Sequence, residues 1–168
     1  MLDPIFRRSR RSPGKNDVPD IFRGRVDYIF QDADDLMKIN RVKICKKYLK
    51  KYKVIINDID IYGKKIIKNY LNKRIKNKSF ITANDIADYN FCGMSNTSLR
   101  AECLKKIFIP HKTNLRIFDW YFWTIILSKY RGFFTNNTTT KYYTNIKSIT
   151  HIPTKYNKRI ISEIQNIK

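Results

Sequence analysis

Residues 38–56 read KINRVKICKKYLKKYKVII, and the assignment of that run decides the fold. Val42, Cys45, Tyr48, Leu49, Tyr52, Ile55 and Ile56 recur at steps of three and four, the spacing of an apolar stripe along an amphipathic helix. Lys43, Lys46, Lys47, Lys50, Lys51 and Lys53 fill the remaining positions. Like charges at those spacings repel by about 0.2–0.5 kcal/mol per pair, so such a helix is weakened alone and supported beside a polyanion.

Working outward, Asn57-Asp58-Ile59-Asp60 reads as a cap region. Ile66, Ile67, Tyr70 and Leu71 then suggest a second, shorter helix ending in the basic loop Lys73–Lys78. A third helix is expected from about Asn96 to Ile107, capped by Ser95, Asn96 or Thr97, with Leu99, Cys103, Leu104 and Ile107 on one face and Pro110 beyond it. Phe118, Trp120, Tyr121, Phe122 and Trp123 read as a buried helix or strand, with Trp120 and Trp123 as protein-docking candidates; base stacking is the sharper alternative. Thr135–Lys141 reads as a polar loop, and Asn157–Lys168 as a terminal amphipathic helix. Upstream, residues 1–26 read as an extended arm punctuated by Pro and Gly, and Val26–Leu36 as an acidic connector carrying Asp27, Asp32, Asp34 and Asp35. The resulting expectation is mainly α: short helices joined by extended basic loops, with long terminal extensions. Its segments are an arm and connector (1–37), a nucleic-acid-binding core (38–113) and a protein-docking extension (114–168).

The 168 residues carry a net charge of +21, and all of it lies beyond Met37. Residues 1–37 hold seven basic and seven acidic side chains; the remainder holds 28 basic against seven acidic. Such an excess repels itself unless a polyanion neutralises it, which points to nucleic acid and to RNA first. An A+T-rich coding genome accounts for the preference for Lys, Asn, Ile and Tyr but not for the scarcity of acids.

Cys45, Cys92 and Cys103 are odd in number and widely spaced, which excludes a full disulfide framework and a paired CxxC zinc site and fits a reducing compartment. His111 and His151 lie near prolines in polar loops, and no metal or cofactor is expected. The apolar run Ile117–Leu127 is too short for a bilayer and is interrupted by Asp119, so no membrane span is expected. The amino terminus lacks the features of a cleaved transit peptide, which an organelle-encoded protein would not need. No phosphate loop, HExxH, GxSxG or paired nucleophile and base is present, and Asp58 with Asp60, like Asp85 with Asp88, reads as cap and solvation; neither an enzyme nor a small-molecule substrate is expected.

The middle of the chain resembles the universal small-subunit ribosomal protein family S-fourteen. Asn40-Arg41-Val42, Lys47-Tyr48 and Ile55-Ile56-Asn57-Asp58 follow the order of that family's opening helix. Lys76-Asn77-Lys78-Ser79-Phe80-Ile81-Thr82 and Cys92-Gly93-Met94-Ser95-Asn96 with Arg100 follow its later motifs without a gap, and Ile109-Pro110 follows after one inserted residue. The chain departs from the pattern at Ala83, Asn84, Asn96 and His111. Without two CxxC pairs it looks like the metal-free branch. The resemblance implies a structural constituent of the ribosome that scaffolds small-subunit ribosomal RNA, in its 3′ major domain, beside neighbouring head proteins. A mitochondrial or other organellar ribosome, and so the mitochondrial matrix, is the expected location. The candidate RNA contacts are Arg41, Lys43, Lys46, Lys47, Lys50, Lys76, Asn77, Lys78 and Arg100. The rivals are an accessory subunit of an organellar membrane complex and a DNA-binding protein from an A+T-rich genome.

Overall fold

A helix does form where the stripe begins, but it ends early. Helix α1 (Arg41–Leu49) gives way after Lys50–Lys53 to strand β3 (Val54–Tyr62). Val54-Ile55-Ile56 is a β-branched run, stiff at χ1 and suited to a strand buried on both faces, and all three are fully buried. The structure, a computed structural model, describes residues 27–76, 78–107 and 118–144. The arm at 1–26, Asn77, both histidines and the terminal helix expected at 157–168 lie outside the described residues.

The remaining strands are β1 (Asp27–Ile29), β2 (Leu36–Met37), β4 (Ile66–Ile67), β5 (Phe80–Ile81), β6 (Thr97–Arg100) and β7 (Gly132–Tyr143). Helix α2 spans Tyr70–Ile75 and α3 spans Phe118–Lys129. The main path of the sheet runs β1-β6-β3-β7-β2, with β4 added to β3 and β5 to β7. Among the described residues the fold is therefore mixed α/β, a curled half-barrel sheet of seven strands with three helices, and corrects the expected mainly α arrangement.

Each departure has a local cause. The expected third helix divides into a three-ten turn (Met94–Asn96), β6 and a second three-ten turn (Ala101–Lys106), because Thr97-Ser98 compete poorly for helix and pair instead with β1 and β3. Ile66 and Ile67 fall on β4, before the second helix rather than in it. The threonine run expected as a loop is the interior of β7: Thr135, Thr138, Thr139 and Thr140 are buried, and β-branching suits a strand even when the side chain is polar. Gly132 opens β7 where a Cβ would lie 2.6 Å from Ile56 Cδ1, so its missing side chain lets α3 and β3 close.

The larger core joins Val54 and Ile56 to Leu71 of α2, Ile81 of β5 and Trp123, Ile126 and Leu127 of α3. A smaller one joins Cys45 and Leu49 of α1 to Ile55. Arg41 is wholly buried between them and the outer strands. Its Nε donates to Asn57 Oδ1 (2.8 Å), Nη1 to the Phe30 carbonyl (2.8 Å) and Gln31 Oε1 (3.1 Å), and Nη2 to the Thr97 carbonyl (3.2 Å). Replacing it with Leu removes the donors and strands four acceptors, two of them buried, at about 1–3 kcal/mol for a buried polar group left unpaired. Arg41→Leu is expected to lower unfolding free energy in urea by roughly 3 kcal/mol, and Arg41→Lys, which keeps charge but not the fork, by less. Equal stability of all three proteins would show that the fork organises nothing.

Candidate functional site

Below the β3–β7 seam the curl leaves a cleft of about 210 Å³. That is under the roughly 300–1,000 Å³ usual for drug-sized ligands, so it suits a small molecule or one moiety of a larger one. Ile59 and Ile61 of β3 with Tyr142 of β7 form one wall, and Tyr70, Tyr89 and Phe91 add aromatic surface. Asp32, Asp35 and Asp119 supply carboxylates, with Asn90, Ser95 and Asn96 between them. Among the described residues no lysine, arginine or histidine lines the cleft.

Each polar group is held by its backbone setting. The Asp32 amide donates to Ser95 Oγ (3.0 Å), whose hydroxyl donates back to Asp32 Oδ2 (3.1 Å). Asn96 Nδ2 donates to the Phe91 carbonyl (3.0 Å), and its Oδ1 accepts from the Gly93 amide (2.8 Å), which fixes the loop beneath the aromatic wall. Asp119 opens α3, accepting from the Trp120 amide (2.8 Å) and from Asn90 Nδ2 (3.4 Å). Asp35 is 5% exposed; its Oδ1 accepts from the Tyr143 amide (3.1 Å), while Oδ2 is buried without a partner. A buried acceptor without a partner is costly, and here it stands within the cleft's wall.

Burial pushes the Asp35 carboxyl above its ordinary pKa, against the opposing pull of Ser95 and the Tyr143 amide. Burial likewise raises Asp119, with Asp32 adding to it and the Trp120 amide opposing it. The Tyr89 phenol is pushed up to about 12, first by its hydrogen bond with Tyr70 and then by burial. Raised carboxyls grouped in a cleft are the pattern by which acid–base sites are recognised.

The residues singled out for RNA scatter. Lys43, Lys46 and Lys47 are exposed along α1 and Lys50 just after its last residue, while Arg41 faces inward. Lys76 is exposed where α2 ends in the left-handed region (φ 43°), and Lys78 forms an ion pair with Asp85. Arg100 lies on β6, and its Nε and Nη2 donate to the Leu49 and Lys50 carbonyls (2.7 Å each), closing the end of α1. Trp120 is half-buried with its indole N–H on the Ile86 carbonyl (2.8 Å), and Trp123 is fully buried. Asp58 lies on β3 yet serves as a helix cap, accepting from the Leu71 and Asn72 amides.

Sequence reasoning passed over Asp32, Asp35, Asn90, Asn96, Asp119 and Tyr142. The available signal was the density of acids from Asp27 to Asp35 in a chain that otherwise avoids them. Among the described residues no group of three or more His, Cys, Asp or Glu is arranged to hold a metal ion.

The raised carboxyls fix a pH dependence. A carboxyl whose folded pKa exceeds its unfolded value near 3.8 binds more protons in the folded state, so stability falls as pH rises from that value through the folded one. Asp35→Asn and Asp119→Asn keep the hydrogen bonds to the Tyr143 and Trp120 amides and remove the charge. Each is expected to raise the melting temperature at pH 7, with the gain shrinking towards pH 4; a gain independent of pH would mean that desolvation of these groups is not the cause. No protein-family model matches the chain, and no curated protein or solved structure matches it, so the case for the site is its geometry alone.

Proposed function

We propose that the chain binds a neutral, hydroxyl-rich small molecule of the sugar or polyol class in this cleft and acts on one of its hydroxyls by acid–base chemistry. The observation that carries the reading is an acceptor-rich cleft, walled by Asp32, Asp35 and Asp119 and with no cationic side chain among its described lining residues, in a protein of net charge +21. Carboxylates and side-chain amides complement hydroxyls, tyrosine and phenylalanine rings offer flat apolar faces, and the three carboxylates in the lining disfavour a bare phosphate. Asp119, with a raised pKa and only weak contact to Asn90, is the group placed to exchange a proton, and Asp32, held by Ser95, is the one placed to orient. Calorimetric titration with monosaccharides, polyols, amines and nucleoside phosphates tests it. A hydroxylated compound is expected to bind the native protein and to bind Asp35→Asn at least about tenfold more weakly, the scale of one lost charge-assisted hydrogen bond. Binding confined to amines or to phosphates would overturn the reading.

A second reading, a ribosomal RNA-scaffolding constituent of the small, organellar subunit, is supported by a different observation. Lys43, Lys46 and Lys47 stand exposed on one short helix and Lys50 just after it, and no acid occurs between Leu36 and Asn57. If those lysines neutralise phosphates, replacing all four with Ala makes the dependence of log K on log salt shallower by about three. An unchanged slope in filter binding to small-subunit RNA removes the helix from such an interface.

A further inference from the structure

Four aromatic rings, none of them part of the cleft lining, meet where the end of α1 approaches β5 and β7. The Tyr52 ring lies flat on Phe133 of β7, with centroids 4.1 Å apart and planes at 7°. Tyr48 of α1 adjoins Phe133 at 5.0 Å, and Phe80 of β5 meets both Tyr52 and Phe133 edge-on at 5.8 Å. Phe80 and Phe133 are register partners, which puts their side chains on one side of the sheet. All four rings are half-buried, so part of each stays open to solvent. Among the described residues β5 pairs with β7 alone.

Cations stand over these rings. Lys51 Nζ lies 5.4 Å from the Tyr52 centroid and Arg131 Cζ 5.0 Å from that of Phe80, and both side chains are exposed. Exposed Lys47 and Lys50 flank Tyr48 and Tyr52 in the chain. The segments that build the cluster, 41–53, 78–81 and 129–138, contain no Asp or Glu. Asp85 and Glu102 come to its margin only through ion pairs with Lys78 and Lys53 and are engaged there. A guanidinium over a ring uses its face and keeps the N–H donors along its edge, the geometry that grips a phosphate.

Rings and charge together select the partner. Interfaces between proteins are depleted of lysine. A bilayer contact needs apolar side chains that protrude, whereas here the rings are recessed and the lysines stand out. Duplex nucleic acid offers phosphates but hides the faces of its bases, while an unpaired strand offers phosphates and open base faces at once. The chain's own remaining stretches, 1–26, 108–117 and 145–168, each hold more basic than acidic residues, so charge does not draw them to the cluster.

We propose that Tyr48, Tyr52, Phe80 and Phe133 form a stacking platform for a single-stranded nucleic acid, with Lys51 and Arg131 on its phosphates. Bases pack on the open parts of the rings, and the cations hold the backbone beside them. The proposal shares its ligand class with the ribosomal reading but stands on the rings rather than on the lysines of α1, and it requires no particular RNA.

Fluorescence anisotropy with the full chain tests it, using a labelled mixed-sequence RNA strand and the same strand annealed to its complement. The native protein is expected to bind the single strand at least about fivefold more tightly than the duplex. Tyr52→Leu and Phe80→Leu keep an apolar side chain and remove the flat ring. Each is expected to weaken single-strand binding at least about fivefold, with salt dependence and circular dichroism unchanged. Lys51→Ala with Arg131→Ala is expected instead to make the dependence of log K on log salt shallower by about 0.7 for each phosphate released. Equal binding of strand and duplex would overturn the proposal. So would unchanged affinity in both ring variants, which would reduce the contact to charge and leave the slope test of the α1 lysines standing by itself. Tighter binding of anionic vesicles or of polyglutamate than of the strand would assign the cluster to a membrane or an acidic protein and overturn it as well.

Discussion

One buried guanidinium ties the layers of this molecule together. Arg41 sits at the start of α1, yet its hydrogen bonds end on the loop after β1, on β3 and on β6, so a single side chain joins a helix to three places in the sheet. The connection continues past Asn57. Asn57 Nδ2 donates to Thr140 Oγ1 (3.2 Å), and that hydroxyl donates to the Ser95 carbonyl (2.7 Å). Ser95 in turn holds Asp32 at the cleft. Burial draws the guanidinium below the usual arginine pKa, with Cys45 and Asp35 working the other way. Desolvating a charge is tolerable only where its donors are satisfied in fixed directions, and here those directions are what place the floor of the cleft.

The curl follows from the same region. The parallel register of β3 with β7 jumps from Asn57 opposite Thr135 to Asp58 opposite Thr139, so residues 136–138 are extruded from β7. Such an irregularity bends a strand and increases its twist. Thr138 secures the extruded segment by donating to Asn40 Oδ1 (2.9 Å) just before α1. Beyond the jump, Ile59 and Ile61 become the wall of a cleft instead of a continuation of the core under α1. Asp58 turns the opposite way and accepts the first free amides of α2, so one stretch of five residues supplies a sheet kink, a helix cap and a binding wall.

The sequence was legible where periodicity and packing agreed. Cys45 and Leu49 of the apolar stripe do face a core, Phe118–Trp123 does start a helix with Phe122 and Trp123 buried, and Asp58 does cap. Periodicity misled where β-branched residues followed at helical spacing. Ile55 and Ile56 continue the stripe of Val42 to Tyr52 arithmetically, but an uninterrupted Val-Ile-Ile run belongs to a strand enclosed on both sides, a state that no single-helix pattern encodes. Leu99, Cys103, Leu104 and Ile107 matched a helix face by spanning the end of β6 and a three-ten turn. The threonines of β7 looked like a loop because polarity was weighed ahead of branching. The cleft was invisible for another reason: its carboxylates come from residues 32, 35 and 119, and only the parallel return of β7 beside β3 brings those regions to one place.

Charge is distributed by the fold more unevenly than by the sequence. Of the acids beyond Met37, Asp58 and Asp60 are buried and Asp85 is engaged by Lys78, so few remain on the exterior to offset its lysines. Asp35, meanwhile, is withdrawn into the cleft with Asp119 beside α3. The effect is a basic outside and an acidic recess within one small sheet. A field of exposed lysines more than about 8 Å away is screened at physiological salt and does little for a carboxylate in a recess. The protonation of Asp35 and Asp119 is therefore governed first by their burial, then by Ser95, the Tyr143 and Trp120 amides and the neighbouring carboxylates, and hardly by the +21 around them. That separation lets the basic exterior and the acidic recess carry different chemistry, because a charge gained or lost outside beyond the screening distance leaves the proton affinity of the cleft unchanged.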